Sequence, residues 1–190
     1  MKFGNWEATG GFFLLMAWLN YLDRQMILPL ALAACMLHEL GHYWAIRAMG
    51  GSVKQIRLTA VGAEMIVSHS LNYWQEGIAA LAGPAVNLLL ARFFCCLGQE
   101  TLFSGLNLVL GCFNLLPIRC LDGGRALHCA LCLVVGPNAA EQVGKWLSRG
   151  FSSLILAGGI LLLRGGGNVT LLCVALWLLI LEVSHEKAEK

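Results

Sequence analysis

Apolar positions dominate the chain in long runs, and glycine, proline or charged residues separate them. Six runs approach the roughly 17–25 residues that a helix needs to cross a bilayer. They are Ala8–Leu22, Met26–Met49, Gly77–Leu97, Thr101–Ile118, Trp146–Leu163 and Asn168–Val183. The first is short. Arg149, Arg164 and a run of glycines trim the last two. Between the second and third runs the pattern changes. Val53, Ile56, Leu58, Val61, Met65 and Val67 are interspersed with glycines and with Lys54, Arg57 and Glu64. That spacing predicts a short hairpin or sheet at the membrane surface. Such a sheet must be paired, wet or covered, because an open edge cannot face lipid. The other long segment outside the spans is Leu121–Lys145. The expected fold is an all-α polytopic membrane protein of about six transmembrane helices with a strand-rich surface segment. It is read as one membrane-embedded domain over 1–190, with a core at about 26–130.

Composition supports that class. Of 190 residues, 58% are hydrophobic and 13% are charged, against about 25% charged in ordinary soluble domains. A net charge of +2 is too small to point to a polyanion, so no nucleic-acid partner is expected. The first run lacks a basic front and leads into a second apolar run, so no cleavable signal is read. Most of the eight cysteines lie inside apolar runs, where cysteine acts as a small hydrophobe. The Cys129-x-x-Cys132 pair has no second pair to make a zinc ribbon.

Six spans divide the loops between two sides. One side receives ten of the thirteen basic residues: Lys2, Arg47, Lys54, Arg57, Arg119, Arg125, Lys145, Arg149, Lys187 and Lys190. The other receives Arg24 and Arg164. The positive-inside rule then puts both termini in the cytoplasm. Trp6, Trp44, Trp74 and Trp146 fall near span ends, as an interfacial belt requires.

The chemistry sits inside the second run, at His38-Glu39-Leu40-Gly41-His42. Residues i and i+4 share a helical face, so both imidazoles can reach one metal ion. Glu39 is placed to take a proton from a water that the metal polarises and to give it to a leaving amine. These groups are costly in hydrocarbon unless paired, wetted or metal-bound. His42 lies about 12 Å along the helix from Gly50, below the cytoplasmic surface.

A catalytic zinc site needs a third protein ligand and an open position. Asp122 is the leading candidate. It follows Pro117 and precedes Gly123-Gly124, residues expected to break the helix and turn the carboxylate back into the bundle. His128 competes for the role, whereas His69 in the surface loop and His185 in the polar tail are not expected to be ligands. In the third run, Gly83-Pro84-Ala85-Val86-Asn87 permits close helix approach. Asn87 is either a substrate- or oxyanion-binding amide or an interhelical tie.

Three separated elements now resemble the site-2 protease family of intramembrane zinc metalloproteases. They are His38-Glu39-Leu40-Gly41-His42, Gly83-Pro84-Ala85-Val86-Asn87, and Asn114-Leu115-Leu116-Pro117 leading to Leu121-Asp122-Gly123-Gly124. The resemblance implies Zn2+ as cofactor, with His38, His42 and Asp122 as ligands and Glu39 as catalytic base. It also makes Asn87 and Asn114 candidates for positioning the substrate backbone. Implied partners are a membrane-associated protein substrate, the lipid bilayer and a membrane regulatory subunit. The implied location is a bacterial cell membrane, and the product is a released protein such as a transcription regulator. The six-span layout looks most like the sporulation branch, which processes a sigma-factor precursor. That branch usually carries paired CBS repeats, and others carry a PDZ domain; neither is read between residues 1 and 190. The surface segment reads Thr59-Ala60-Val61-Gly62-Ala63 where many members have a proline before two glycines, and Arg119-Cys120 stands where members often have apolar residues or proline.

Two rival readings keep the same residues. A metal transporter or sensor would need a polar path to both sides of the membrane. An inactive pseudoprotease would bind a membrane partner without cutting it.

Overall fold

Glycine, proline and polar breaks divide the chain into seven helices and four short strands among the described residues. The computed structural model describes residues 2–3, 6–59, 62–67, 71–98, 101–166 and 169–188. His69, Ala60, Val61, Asn168 and Lys190 lie outside them. The chain forms two compact units, Met1–Phe113 and Asn114–Lys190.

The first unit contains β1 (Lys2–Phe3), β2 (Trp6–Ala8), α1 (Gly10–Leu22), α2 (Ile27–Ala48), β3 (Val53–Thr59), β4 (Gly62–Val67), α3 (Tyr73–Cys96) and α4 (Leu102–Asn114). The predicted surface hairpin is present. β3 and β4 pair antiparallel from Val53↔Val67 to Thr59↔Gly62, with an irregularity between Val53 and Gln55. Two strands that the apolar pattern did not predict extend it, giving the order β1-β2-β3-β4. β2 runs parallel to β3 with Glu7 opposite Arg57. Glu7 accepts hydrogen bonds from Gln55 and Arg57 and so ties the two strands together.

Asp23 organises the start of α2. Its carboxylate accepts hydrogen bonds from the backbone N–H groups of Gln25, Ile27 and Leu28 at 3.2, 3.0 and 2.8 Å. These include donors of the first turn that no helical carbonyl can satisfy. Met26 turns the chain in the left-handed region at φ 57°. The bonds, led by that from Leu28, hold the Asp23 carboxyl below its ordinary range. At the start of α3, the Asn72 N–H donates to Gln75 Oε1 at 3.0 Å. Gln75 Nε2 also donates to the Met49 carbonyl at the end of α2.

α2 and α3 pack through small residues. The buried stripe of α3 is Ala79, Ala80, Gly83, Pro84, Asn87 and Ala91. Against it α2 buries Ala34, His38, Gly41, His42 and Ile46. A Cβ on Gly41 would stand 2.8 Å from the Ala82 carbonyl oxygen, so the backbones meet without side chains between them. α4 approaches α3 in the same way, with Gly111 beside Leu88 and Pro84.

The second unit contains α5 (Asp122–Val135), α6 (Pro137–Arg164) and α7 (Thr170–Ala188). Much of the Leu121–Lys145 segment, read as lying outside the spans and given no secondary structure, is helical. Gly123 and Gly124 also depart from expectation, because they lie in the first turn of α5 and not in the preceding turn. A Cβ there would stand 2.2 Å from the Leu115 carbonyl oxygen or 2.1 Å from that of Ile118. The two glycines let the helix start directly against the turn that leads into it. α6 begins with Pro137 after Gly136 at φ 86°, well before Trp146. Proline at that place costs no helical hydrogen bond.

Two helices, Tyr73–Cys96 and Pro137–Arg164, are long and apolar enough to cross a membrane. Phe13–Leu22, Leu102–Asn114 and Thr170–Leu181 are shorter apolar stretches. α2 has 22 residues, about 33 Å of helix, but His38, Glu39 and His42 interrupt its apolar character. Large apolar side chains are exposed on both units, among them Leu14, Trp18, Trp44, Leu89, Val134 and Leu154. Outward faces of this kind suit hydrocarbon surroundings.

Candidate metal centre

One turn apart on α2, His38 and His42 are 6% and 8% exposed. Each has its Nδ1 against an oxygen. His38 Nδ1 lies 2.5 Å from Asn87 Oδ1, and His42 Nδ1 lies 2.8 Å from the Ala79 carbonyl oxygen. Nδ1 of both rings is therefore the protonated nitrogen, and the lone pairs are on Nε2. The two Nε2 atoms face one another at 3.1 Å. Where each ring carries only its Nδ1 proton, neither has a hydrogen to give the other there. Two lone pairs at that distance fit a shared cation. Two zinc–nitrogen bonds of 2.0–2.1 Å at a tetrahedral angle would set the nitrogens about 3.3 Å apart.

Gly83 makes room for this pair. A Cβ on it would stand 2.3 Å from His42 Nε2 and 2.8 Å from His38 Nε2. The glycine of the Gly83-Pro84 element thus leaves the space that the imidazoles occupy, besides permitting close helix approach.

Asn87 is fully buried and makes the interhelical tie. Its Oδ1 accepts from His38 Nδ1, while its Nδ2 donates to the Ala34 carbonyl at 3.2 Å and to Asn107 Oδ1 at 2.7 Å. Asn107, on α4, is also fully buried. The sequence reading passed over it. An amide in an otherwise apolar run, Leu106-Asn107-Leu108-Val109, was the available signal. Glu39 follows His38 on α2 and is half-buried.

The remaining expected residues lie in the second unit. Asn114 ends α4 and is half-buried. Asp122 opens α5 and is half-buried, where the helix dipole favours its negative charge. His128, the rival ligand, has its Nε2 3.4 Å from Cys132 Sγ on the same helix. Arg119 is engaged by Glu141 at 2.6 Å, and its backbone N–H donates to Ser148 Oγ. Glu141 also pairs with Lys145 at 3.0 Å.

Residues 26–105 match the model of Peptidase family M50. A candidate zinc metalloprotease of Synechocystis is 32% identical over 145 residues, which are 70% of this chain and 38% of that protein. A zinc metalloprotease of Methanocaldococcus jannaschii is 28% identical over 83% of this chain and 48% of its own length. The candidate zinc metalloprotease Rip3 of Mycobacterium tuberculosis is 30% identical over 85% of this chain and 44% of its own. The chain thus spans less than half the length of these relatives. In fold it is similar to a site-2 protease from Methanocaldococcus jannaschii, with a TM-score of 0.69 and 24% identity over 94% of this chain and 89% of that one. In sequence the chain is similar to proteins named as zinc metalloproteases, whose metal is zinc, and its fold is similar to that of a site-2 protease.

Proposed function

We propose that the protein is an intramembrane zinc endopeptidase that cuts a peptide bond in or near a membrane segment of another protein. One observation carries the reading: two buried imidazoles of a His-Glu-x-x-His helix, each fixed by its Nδ1, converge through Nε2. We take Asp122 as the third ligand. Two histidines with a carboxylate are a donor set suited to zinc and leave it one open position. His128 is the weaker choice, being turned to Cys132.

Bound zinc supplies Lewis acidity for the scissile carbonyl and lowers the pKa of a water. The Glu39 carboxylate takes the proton of the attacking water and passes it to the departing amine nitrogen, which neutralises the leaving group. The substrate helix must unwind locally, because its peptide bonds are otherwise shielded by their own hydrogen bonding. Asn114 is assigned to hold the unwound backbone. Asn87 shares that assignment only through its contact with His38.

The exposed apolar faces, the apolar helices and the basic bias of one set of loops support a multi-pass protein with six spans. On this reading both termini and access to the site face the cytoplasm of a bacterial cell. The product leaves on that side, and the precursor of a transcription regulator is the first substrate to try. A membrane regulatory subunit would govern access. The test compares membrane proteomes of cells carrying the wild-type chain or Glu39→Gln. A precursor that accumulates only in the variant is expected. If none does, and purified zinc-loaded protein cleaves no membrane substrate in a Glu39-dependent way, the proteolytic reading fails.

A further inference from the structure

We infer that Asn107 is a positioning residue for the metal centre, acting through Asn87 to fix which nitrogen of His38 carries the proton. The inference rests on the zinc reading above and concerns a residue outside all three resemblance elements.

The hydrogen bonds run in one direction. Asn107 Nδ2 donates to the Phe103 carbonyl on its own helix at 2.8 Å. That bond turns Asn107 Oδ1 toward α3, where it accepts from Asn87 Nδ2 at 2.7 Å. The second hydrogen of Asn87 Nδ2 goes to the Ala34 carbonyl on α2. Both partners of that nitrogen are acceptors, so it must be the NH2 end of the amide. Asn87 Oδ1 is then the atom left to meet His38 Nδ1. A flipped Asn87 would set its oxygen against two other oxygens and would offer an N–H to His38. The ring would then be pressed to move its proton to Nε2, the nitrogen needed as a lone-pair donor. Ala34 alone still permits two orientations of moderate cost. Asn107 adds the second, shorter bond and makes the choice decisive.

Burial makes this arrangement expensive to keep without a purpose. Asn87 and Asn107 are both fully buried on apolar helices, where an unpaired amide group is costly. A plain interhelical tie needs one hydrogen bond. Here three bonds join three helices, a fourth fixes Asn107 on its own helix, and the chain ends on His38. His42 needs no such relay, because a backbone carbonyl cannot flip.

The test measures zinc affinity of the purified full chain by competition with a chromophoric chelator. In the wild-type background, Asn107→Leu should weaken zinc binding by about 10–100-fold, the usual effect of losing a group that orients a ligand. A carboxylate has two equivalent acceptor oxygens and needs no orienting. In an Asn87→Asp background, Asn107→Leu should therefore change affinity by no more than about twofold. Asn107→Ala carries the same expectations if the leucine variant does not fold. Wild-type affinity in Asn107→Leu or Asn107→Ala overturns the inference, as does an equal loss in both backgrounds, which would mark a merely structural role. If the wild-type chain takes up no zinc, the zinc reading itself falls.

Discussion

The two units bury polar side chains differently. In the first, the buried polar residues among those described are His38, His42, Asn87 and Asn107, large groups linked by hydrogen bonds across α2, α3 and α4. In the second, they are Ser148 and Ser152, two small hydroxyls on α6. Ser148 accepts from the Arg119 backbone, and Ser152 Oγ is buried with no hydrogen-bond partner among the described residues. Serine, alanine and glycine on the buried side of α6 allow neighbouring helices to come close. Amides and imidazoles would be an extravagant way to achieve that. On the proposed function, polarity in the first unit serves chemistry, whereas polarity in the buried part of α6 serves packing.

The largest expected effect tests the chemical half of that contrast. Glu39→Gln should lower cleavage by about 10²–10⁴-fold while zinc content, read by metal analysis, stays at wild-type level. A loss of both together would break the assignment of Glu39 as base. Next, Gly83→Ala should empty the metal site, since its Cβ would stand 2.3 Å from His42 Nε2. Gly105→Ala, whose Cβ meets nothing within 4 Å, should leave zinc binding unchanged. In the second unit, Gly123→Ala should act on the fold, through the Leu115 carbonyl. Its melting temperature in detergent should fall by several degrees, a loss of about 1–3 kcal/mol.

A smaller effect concerns pH. The folded pKa of Asp23 lies below the ordinary value of 3.8. The unfolded chain therefore binds its proton first as pH falls. The contribution of Asp23 is complete well above 3.8 and is lost as pH drops through the lower folded value. Protection of the first turn of α2 against hydrogen exchange, taken relative to the intrinsic rate at each pH, should fall in that acid range and should already be low at neutral pH in Asp23→Ala. The smallest effect is expected for Ser152→Ala. Removing a buried hydroxyl that has no partner should change stability by less than about 1 kcal/mol, or raise it. A large loss would show that α6 uses polarity as the first unit does.

Much of this was legible in the sequence where composition and spacing agree. The apolar runs foretold α2 and α3, and the alternation around Val53–Val67 foretold the β3–β4 hairpin. His38, Glu39 and His42 announced themselves through spacing in an apolar run. Three things were not legible. β1 and β2 are too short for periodicity and depend on β3, about fifty residues away. α5 was hidden because Asp122-Gly123-Gly124 has turn composition, and only the close approach of Leu115 and Ile118 shows why a helix tolerates two glycines in its first turn. Asn107 was hidden because an isolated amide says nothing until its partner is known, and that partner lies on another helix.

Gly83 has a meaning for relatives of this chain. Its hydrogen atom faces two imidazoles, so selection to keep it bare lasts only while those rings are needed. Without those rings the three nearest obstacles to an alanine Cβ would be gone, and alanine has the higher helix propensity. Position 83 is thus a record, written in a single missing carbon, of whether the space opposite is still reserved for two rings.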